Sequence, residues 1–522
     1  MAKRRDELAA YTFARKRTVA AFLAPSPGGS EEGAPRPVRT VMPSLAVGIV
    51  LVIGFIAWGV IKPTAPKGWD TPGEHIIVDS DSTTRYVVLD PNPKDSKVEK
   101  VLHPVLNYAS AKLLLDKGKG SVLEVPGKEI DKSGIRHGAT IGIPYAPDRL
   151  PSKEDAEKTK TWAVCERPAP GSKAAIDRAV FVFDDSDAKS LETAGKVDPR
   201  EALYVTDTRT KAEYLVDSKG NRFLLGGKTG LDATSMEQLR SAVIGSSATA
   251  DPQPVSQEWL NTLNDGGDIT FPVVPGAGGP TSVQGLPAEA GTIGQVLRAR
   301  DAQGEQFYIV LKDKVAAVSP FVAALLVARD ENGALKVDTR AVIEANGGRA
   351  DRFYADKGWP EIVPRQANST NPTTGEVART SCSVYKGTFD GRTPSLAAWA
   401  GADYPKKVIT DSLSAYVSSG SGLLFQEVSG TAAGGGATYL LTDTGLRYSL
   451  PKNNDSAAAA QNPAASTGAG ASQGDASETD KARTRLGYED LNQPAVVPQT
   501  WATFIPKGPM LDTAGASQPQ SQ

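Results

Sequence analysis

The chain has 522 residues, enough for roughly three and a half domains of about 150 residues each. Its 58 Lys and Arg balance 60 Asp and Glu, and the net charge of −2 excludes the broad basic field of a nucleic-acid binder. With 40% hydrophobic residues a wholly disordered chain is excluded, and two Cys with three His rule out a four-Cys zinc site.

Residues 1–40 read as a cytoplasmic stub. Leu8, Tyr11, Val19, Phe22 and Leu23 fall on one side at helical spacing, and basic residues crowd the rest. Such a helix suits either anionic lipid or a cytoplasmic partner, and Pro25 to Pro37 read as a hinge. Residues 41–61 (VMPSLAVGIVLVIGFIAWGVI) then carry no charge at all. At helical rise this run is about 30 Å long, the thickness of the hydrocarbon layer, and it predicts one transmembrane helix. A cleaved signal peptide competes, but the run is too long for its apolar core and follows a long polar stretch. Lys3, Arg4, Arg5, Arg15, Lys16, Arg17, Arg36 and Arg39 precede it, whereas acidic Asp70, Glu74, Asp79 and Asp81 follow. The bias predicts a cytoplasmic N-terminus and an extracellular or periplasmic C-terminal region.

Beyond the span, four segments open on Tyr and continue apolar. They begin at Tyr86, Tyr214, Tyr308 and Tyr439. An apolar strand precedes each, and turns such as Ser218-Lys219-Gly220-Asn221 and Asp443-Thr444-Gly445 lead into a return strand. Helical patches follow at Val105–Leu115, Met236–Ile244 and Pro320–Ala328. The predicted fold is α+β: an elongated external region of four meander-plus-helix repeats around a central β-rich domain. The central domain is expected to be built from two separate stretches, 139–200 and 336–405. Repeat 1 is expected at 62–138, repeat 2 at 201–265, repeat 3 at 266–335 and repeat 4 at 406–512. Residues 452–485 read as a disordered insertion and 513–522 as a disordered tail, both for want of apolar side chains.

Cys165 and Cys382 lie one in each central stretch, an even pair in a segment placed in an oxidising compartment. A disulfide between them and two separate buried thiols both stay open. Searching for chemistry finds no catalytic, cofactor-binding or metal-ligating residues. Gly226-Gly227-Lys228-Thr229 lacks the first glycine of a phosphate loop, because Arg222 stands there. Gly470-Ala471-Ser472-Gln473-Gly474 spells a nucleophile elbow inside low-complexity sequence. His75, His103 and His137 have no ligand spacing, and Asp184-Asp185 reads as a solvated loop.

Several blocks together resemble the ESX-conserved component B family (EccB), the membrane subunit of the actinobacterial type VII secretion machine. They are Leu102-His103-Pro104 through Leu113-Leu114, Ile141-Gly142-Ile143-Pro144-Tyr145, Trp162-Ala163-Val164-Cys165, Pro252-Gln253-Pro254-Val255-Ser256 through Trp259, Val318-Ser319-Pro320, Thr442 through Tyr448, and Leu486-Gly487-Tyr488. Tyr145 departs from the pattern, where a Gly is expected. The resemblance implies a single-pass scaffold in a cell membrane, with one disulfide in the central domain and no cofactor. Implied partners are other ESX membrane components, including the FtsK-type ATPase, further copies of the chain and membrane lipid. Two other readings stay open: an ATP-hydrolysing component of the same machine, and a cell-wall-binding repeat protein whose repeats would share an aromatic groove.

Overall fold

The computed structural model describes residues 4–23, 38–61, 65–91, 99–169, 175–244, 251–301, 304–329, 333–338, 340–342, 352–369, 379–407, 415–429, 436–451, 478–491 and 493–520, with backbone alone at 23, 38–41, 57–61, 301 and 478–479. The chain divides into two compact units, Met1–Trp69 with Glu124–Gly134, and Asp70–Leu123 with Ile135–Gln522.

The first unit contains helices Arg4–Leu23, Val38–Ile61 and Gly127–Lys132. Asp6 and Glu7 in the first turn of Arg4–Leu23 complement the partial positive charge of a helix N-terminus. Leu8, Tyr11 and Phe22 of that helix are exposed. The uncharged run lies within Val38–Ile61, where every side chain described, from Met42 to Ile56, is exposed. Among the described residues no helix is long and apolar enough to cross a membrane. Residues 57–61 are described by backbone alone, and the hinge at 25–37 lies outside the described residues.

The second unit is mixed α+β, with five sheets among the described residues. Four contain a three-strand antiparallel meander. Their strands are His75–Asp79, Arg85–Leu89 and Val101–Pro104; Glu201–Asp207, Glu213–Asp217 and Asn221–Leu225; Val296–Asp301, Gly304–Val310 and Val315–Val318; and Leu423–Val428, Thr438–Leu441 and Arg447–Leu450. Each middle strand carries one of the four Tyr residues. The turns follow local chemistry: Asp217 accepts hydrogen bonds from the Lys219 and Asn221 amides while Gly220 takes a φ of +73°. Helices Tyr108–Leu114, Ala233–Ile244, Pro320–Arg329 and Glu478–Leu486 follow the four meanders.

Short parallel strands extend these sheets, and periodicity does not announce them. Gln253–Val255 lies beside Glu201–Asp207, Asn264–Ile269 beside Asn221–Leu225, Ala334–Lys336 beside Val296–Asp301, and Ala495–Pro498 beside Leu423–Val428. They are too brief or too polar to alternate visibly.

The fifth sheet runs Thr393–Gly401, Thr380–Asp390, Thr161–Pro168, Ile176–Phe183 and Ala415–Val417. The last strand is parallel to its neighbour and comes from 406–512, the stretch expected to form repeat 4. Period-two alternation gives this sheet two apolar faces. Trp162, Val164 and Tyr385 join a core with Leu203 and Val216 of the second meander and Phe425 and Leu441 of the fourth. Cys165, Phe181, Cys382 and Trp399 face the other way, against Leu191. Separate cores bind the second meander to the third, through Phe223, Ile309 and Phe321, and the first helix to the fourth meander, through Leu113, Leu424 and Tyr448. Ile143, Ala146 and Ala156 belong to the latter core, although 139–200 is expected to contribute to the central sheet.

Two stretches expected to be disordered are ordered to some extent. Glu478–Leu486 is helical, with Ala482 and Leu486 buried against Leu113 and Tyr448; residues 452–477 lie outside the described residues. Helix Thr513–Ser517 is capped by Asp512 and buries Ala516, and Gln520 donates to the Gly142 carbonyl at 2.6 Å. Both are too polar to fold on their own hydrophobic content. They order by docking on a preformed surface, a tertiary effect that composition does not report.

Candidate functional site

The two cysteines occupy directly opposed positions on Thr161–Pro168 and Thr380–Asp390, with Cα atoms 4.0 Å apart and the sulfurs joined. One residue further on, Glu166 is wholly buried and turns to the opposite face. Its carboxylate accepts hydrogen bonds from the Ser256 amide, the Ser256 hydroxyl and Arg178 Nε, each at 2.7 Å. Arg178 also donates to Ser256 Oγ, and its guanidinium lies 5.0 Å from the Phe504 ring. Gln253 Nε2 donates to the Glu166 carbonyl, and Ser381 donates to Gln253 Oε1. Trp259 Nε1 donates to the Val164 carbonyl at 2.9 Å. Ser256 caps the short helix Gln257–Leu260, which carries Trp259 into the core.

A second strand-to-helix corner sits on the same core. Ala495–Pro498 leads into Gln499–Ala502, and Trp501 is fully buried 5.7 Å from the Tyr385 ring. Tyr385 donates its hydroxyl proton to the Val496 carbonyl at 2.7 Å. Val255-Ser256-Gln257-Glu258-Trp259 and Val497-Pro498-Gln499-Thr500-Trp501 are thus equivalent devices, each pinning a meander to the disulfide-bearing sheet. The site is mechanical: a buried polar lock and two tryptophan pins.

On the other face, Asp187 of helix Asp185–Thr193 accepts hydrogen bonds from Tyr416, Ser418 and Lys406. Burial opposes ionisation there, but these hydrogen bonds outweigh it and hold the carboxyl below its ordinary range. Burial, reinforced by the Asp177 charge, pushes the Tyr404 phenol well above its usual range. Asp184, read as solvated, caps that helix by accepting from the Ser186 and Asp187 amides.

The histidines do not converge. His75 pairs with Ser121, His103 with the Ala139 carbonyl, and His137 meets the Tyr86 ring edge-on. Among the described residues no group of three or more His, Cys, Asp or Glu could hold a metal ion. The four leading Tyr residues form no shared aromatic groove: Tyr439 stacks on Phe425, Tyr214 packs beside the central core and Tyr308 in a separate one. Residues 470–474 lie outside the described residues.

Gly226 and Gly227 have φ of +82° and +70° and close a turn at the strand end. The Gly226 amide is spent on the Ile269 carbonyl, and Asp232 accepts from the Ser235 amide at the start of the following helix. An aspartate there repels a phosphate. Lys228→Ala is therefore expected to leave any ATP turnover of the purified chain unchanged. Turnover lost in that variant alone would overturn this reading of the turn.

The family model described as "Type VII secretion system ESX-1, transport TM domain B" matches residues 2–521. The chain belongs to this family. Among relatives of this family, the "ESX-1 secretion system ATPase EccB1" of Mycolicibacterium smegmatis (strain MKD8) is 30% identical over 302 residues, 57% of this chain and 56% of the relative. That match spans little more than half of the relative's length. The "ESX-3 secretion system ATPase EccB3" of Mycobacterium tuberculosis (strain ATCC 25618 / H37Rv) is 25% identical over 514 residues, 92% of this chain and 83% of the relative. The fold is shared with a chain of an intact ESX-5 inner membrane complex (TM-score 0.57, 20% identity, 100% of this chain and 96% of that one). It is also shared with a chain of an EccB3 dimer from the ESX-3 core complex (TM-score 0.56, 22% identity, 85% and 99%).

Proposed function

We propose that this chain is a single-pass membrane scaffold of a type VII secretion complex, linking the cytoplasmic and membrane core to the external face. The observation that carries the proposal is the join between two unlike regions. A helix, Val38–Ile61, contains an uncharged run, and the other unit consists of small sheets locked together by shared cores. On this reading residues 41–61 cross the membrane once and the basic stub stays in the cytoplasm. The four meanders act as repeats around the sheet that carries Cys165 and Cys382. The partners are other ESX membrane components, including the FtsK-type ATPase, further copies of this chain, and anionic lipid around the N-terminal helix. Support for a multi-subunit setting comes from the ESX-5 inner membrane complex and the EccB3 dimer in which similar folds occur.

A periplasmic-type reporter fused after Gln522 should be active, and the same reporter placed at residue 30 inactive. Activity at residue 30 would reverse the topology. Gentle extraction followed by mass spectrometry should recover the chain with other ESX membrane subunits; recovery of the chain alone would remove the scaffold reading.

A further inference from the structure

Residues 506–520 leave the Trp501 corner at buried Ile505 and run as a strap across two other modules. The strap begins as an added strand on the open edge of the fourth meander. Lys507 lies parallel to Arg447, the Gly508 amide donates to the Arg447 carbonyl at 2.9 Å, and the Leu511 amide donates to the Ser449 carbonyl at 2.9 Å. Helix Thr513–Ser517 then packs on helix Tyr108–Leu114. A second short pairing follows, with Pro519 antiparallel to Ile141 and the Gln520 amide donating to the Thr140 carbonyl at 2.9 Å.

The strap and the groove that receives it are unequal. The strap's own five-residue helix is too short to persist alone, and its cap is one contact, from the Gly515 amide to Asp512. It buries Leu511, Asp512 and Ala516 and little else. The groove, by contrast, is built without it. Strand Arg447–Leu450 is paired on its other side with Thr438–Leu441, and Tyr448 shares its core with Leu424, Leu440 and Leu486. Main-chain pairing to an open edge, with one leucine in an apolar pocket, is the chemistry by which a sheet takes up a strand from another chain. The groove is also selective. A Cβ at position 508 would stand 2.5 Å from the Tyr448 ring, so a glycine must cross there, with the leucine three residues further on. The segment seated in the groove meets both demands, and every further copy of the chain carries it.

The tether does not restrict the strap to its own groove, because residues 506–520 reach about 50 Å when extended. We propose that the strap is exchangeable: residues 506–520 of one copy seat in the groove of a second copy and join the two. The proposal deepens the reading above, in which further copies of the chain are partners.

The test mixes two full-length variants in detergent, one with Thr140→Cys and the other with Gln520→Cys. These positions face each other across the Ile141–Pro519 pairing. Mild oxidation should give a disulfide-linked heterodimer, and excess end-blocked peptide of residues 507–520 should suppress it. The same peptide with Leu511→Asp should not suppress it, because a carboxylate is costly in an apolar pocket. The labelled peptide should bind the wild-type chain, and bind the chain carrying Leu511→Asp about tenfold more tightly, since that chain's own strap no longer competes. No binding of the peptide to the wild-type chain, no linked heterodimer, or a heterodimer that survives excess wild-type peptide would overturn the proposal. Recovery of the chain without ESX subunits would remove the scaffold reading and leave these outcomes untouched.

Discussion

Arg178→Leu is expected to destabilise the second unit by about 3 kcal/mol, the cost of leaving a buried carboxylate without its cation. Glu166 is inaccessible to water, while the Arg178 side chain is 35% exposed. Removing the arginine therefore strands the charge that solvent cannot reach. Only the two Ser256 hydrogen bonds would remain on the carboxylate. Glu166→Gln should be milder, because it keeps the shape and discards the charge. The melting temperature of Arg178→Leu should fall by roughly 5 °C or more, and hydrogen exchange at Gln253–Leu260 should rise first. A shift below about 1 °C would mean that the corner is held by Trp259 packing alone.

This lock also shows where reading the sequence succeeds and where it stops. The block Pro252 to Trp259 is visible as a family signature, but nothing in its letters says that Ser256 reaches the carboxylate, and Gln253 the main-chain carbonyl, of a glutamate about 90 residues away. The equivalence of Trp259 and Trp501 stays hidden for another reason. One corner is capped by Ser256 and the other opens on Pro498, so the shared pattern shrinks to a Val, a Gln and a Trp at alternate positions. The Tyr-led meanders are legible because alternation and turn chemistry act locally, within a dozen residues. The parallel strands beside them depend on partners far along the chain and leave no periodic trace. Tyr145 falls between these cases. Its departure from the expected Gly is readable, and the structure supplies the reason: φ is +63°, a region that favours glycine, and the side chain is 88% exposed.

The cysteines carry the largest expected effect. They stand 217 residues apart in sequence and opposite one another in register, on the strands at the centre of the fifth sheet. Cross-linking a loop of that length removes conformational entropy worth roughly 5 kcal/mol from the unfolded chain, as an upper bound. A folded domain has a total stability of only about 5–15 kcal/mol. The double variant Cys165→Ala/Cys382→Ala leaves no lone thiol to mispair, and it should lower the melting temperature by roughly 10 °C. Because Trp162 and Val164 on the same strand share a core with the second and fourth meanders, the loss should spread in a defined order. Proteolysis should reach 161–183 and 380–401 first, then the Trp259 and Trp501 corners. The first and third meanders, whose cores lie elsewhere, should resist longest. Peptide mapping without reductant tests the premise, with one Cys165–Cys382 linked peptide as the expected product. Two free thiols, a linked dimer, or an unchanged melting temperature in the double variant would leave the sheet held by its strand pairing and its tryptophans alone.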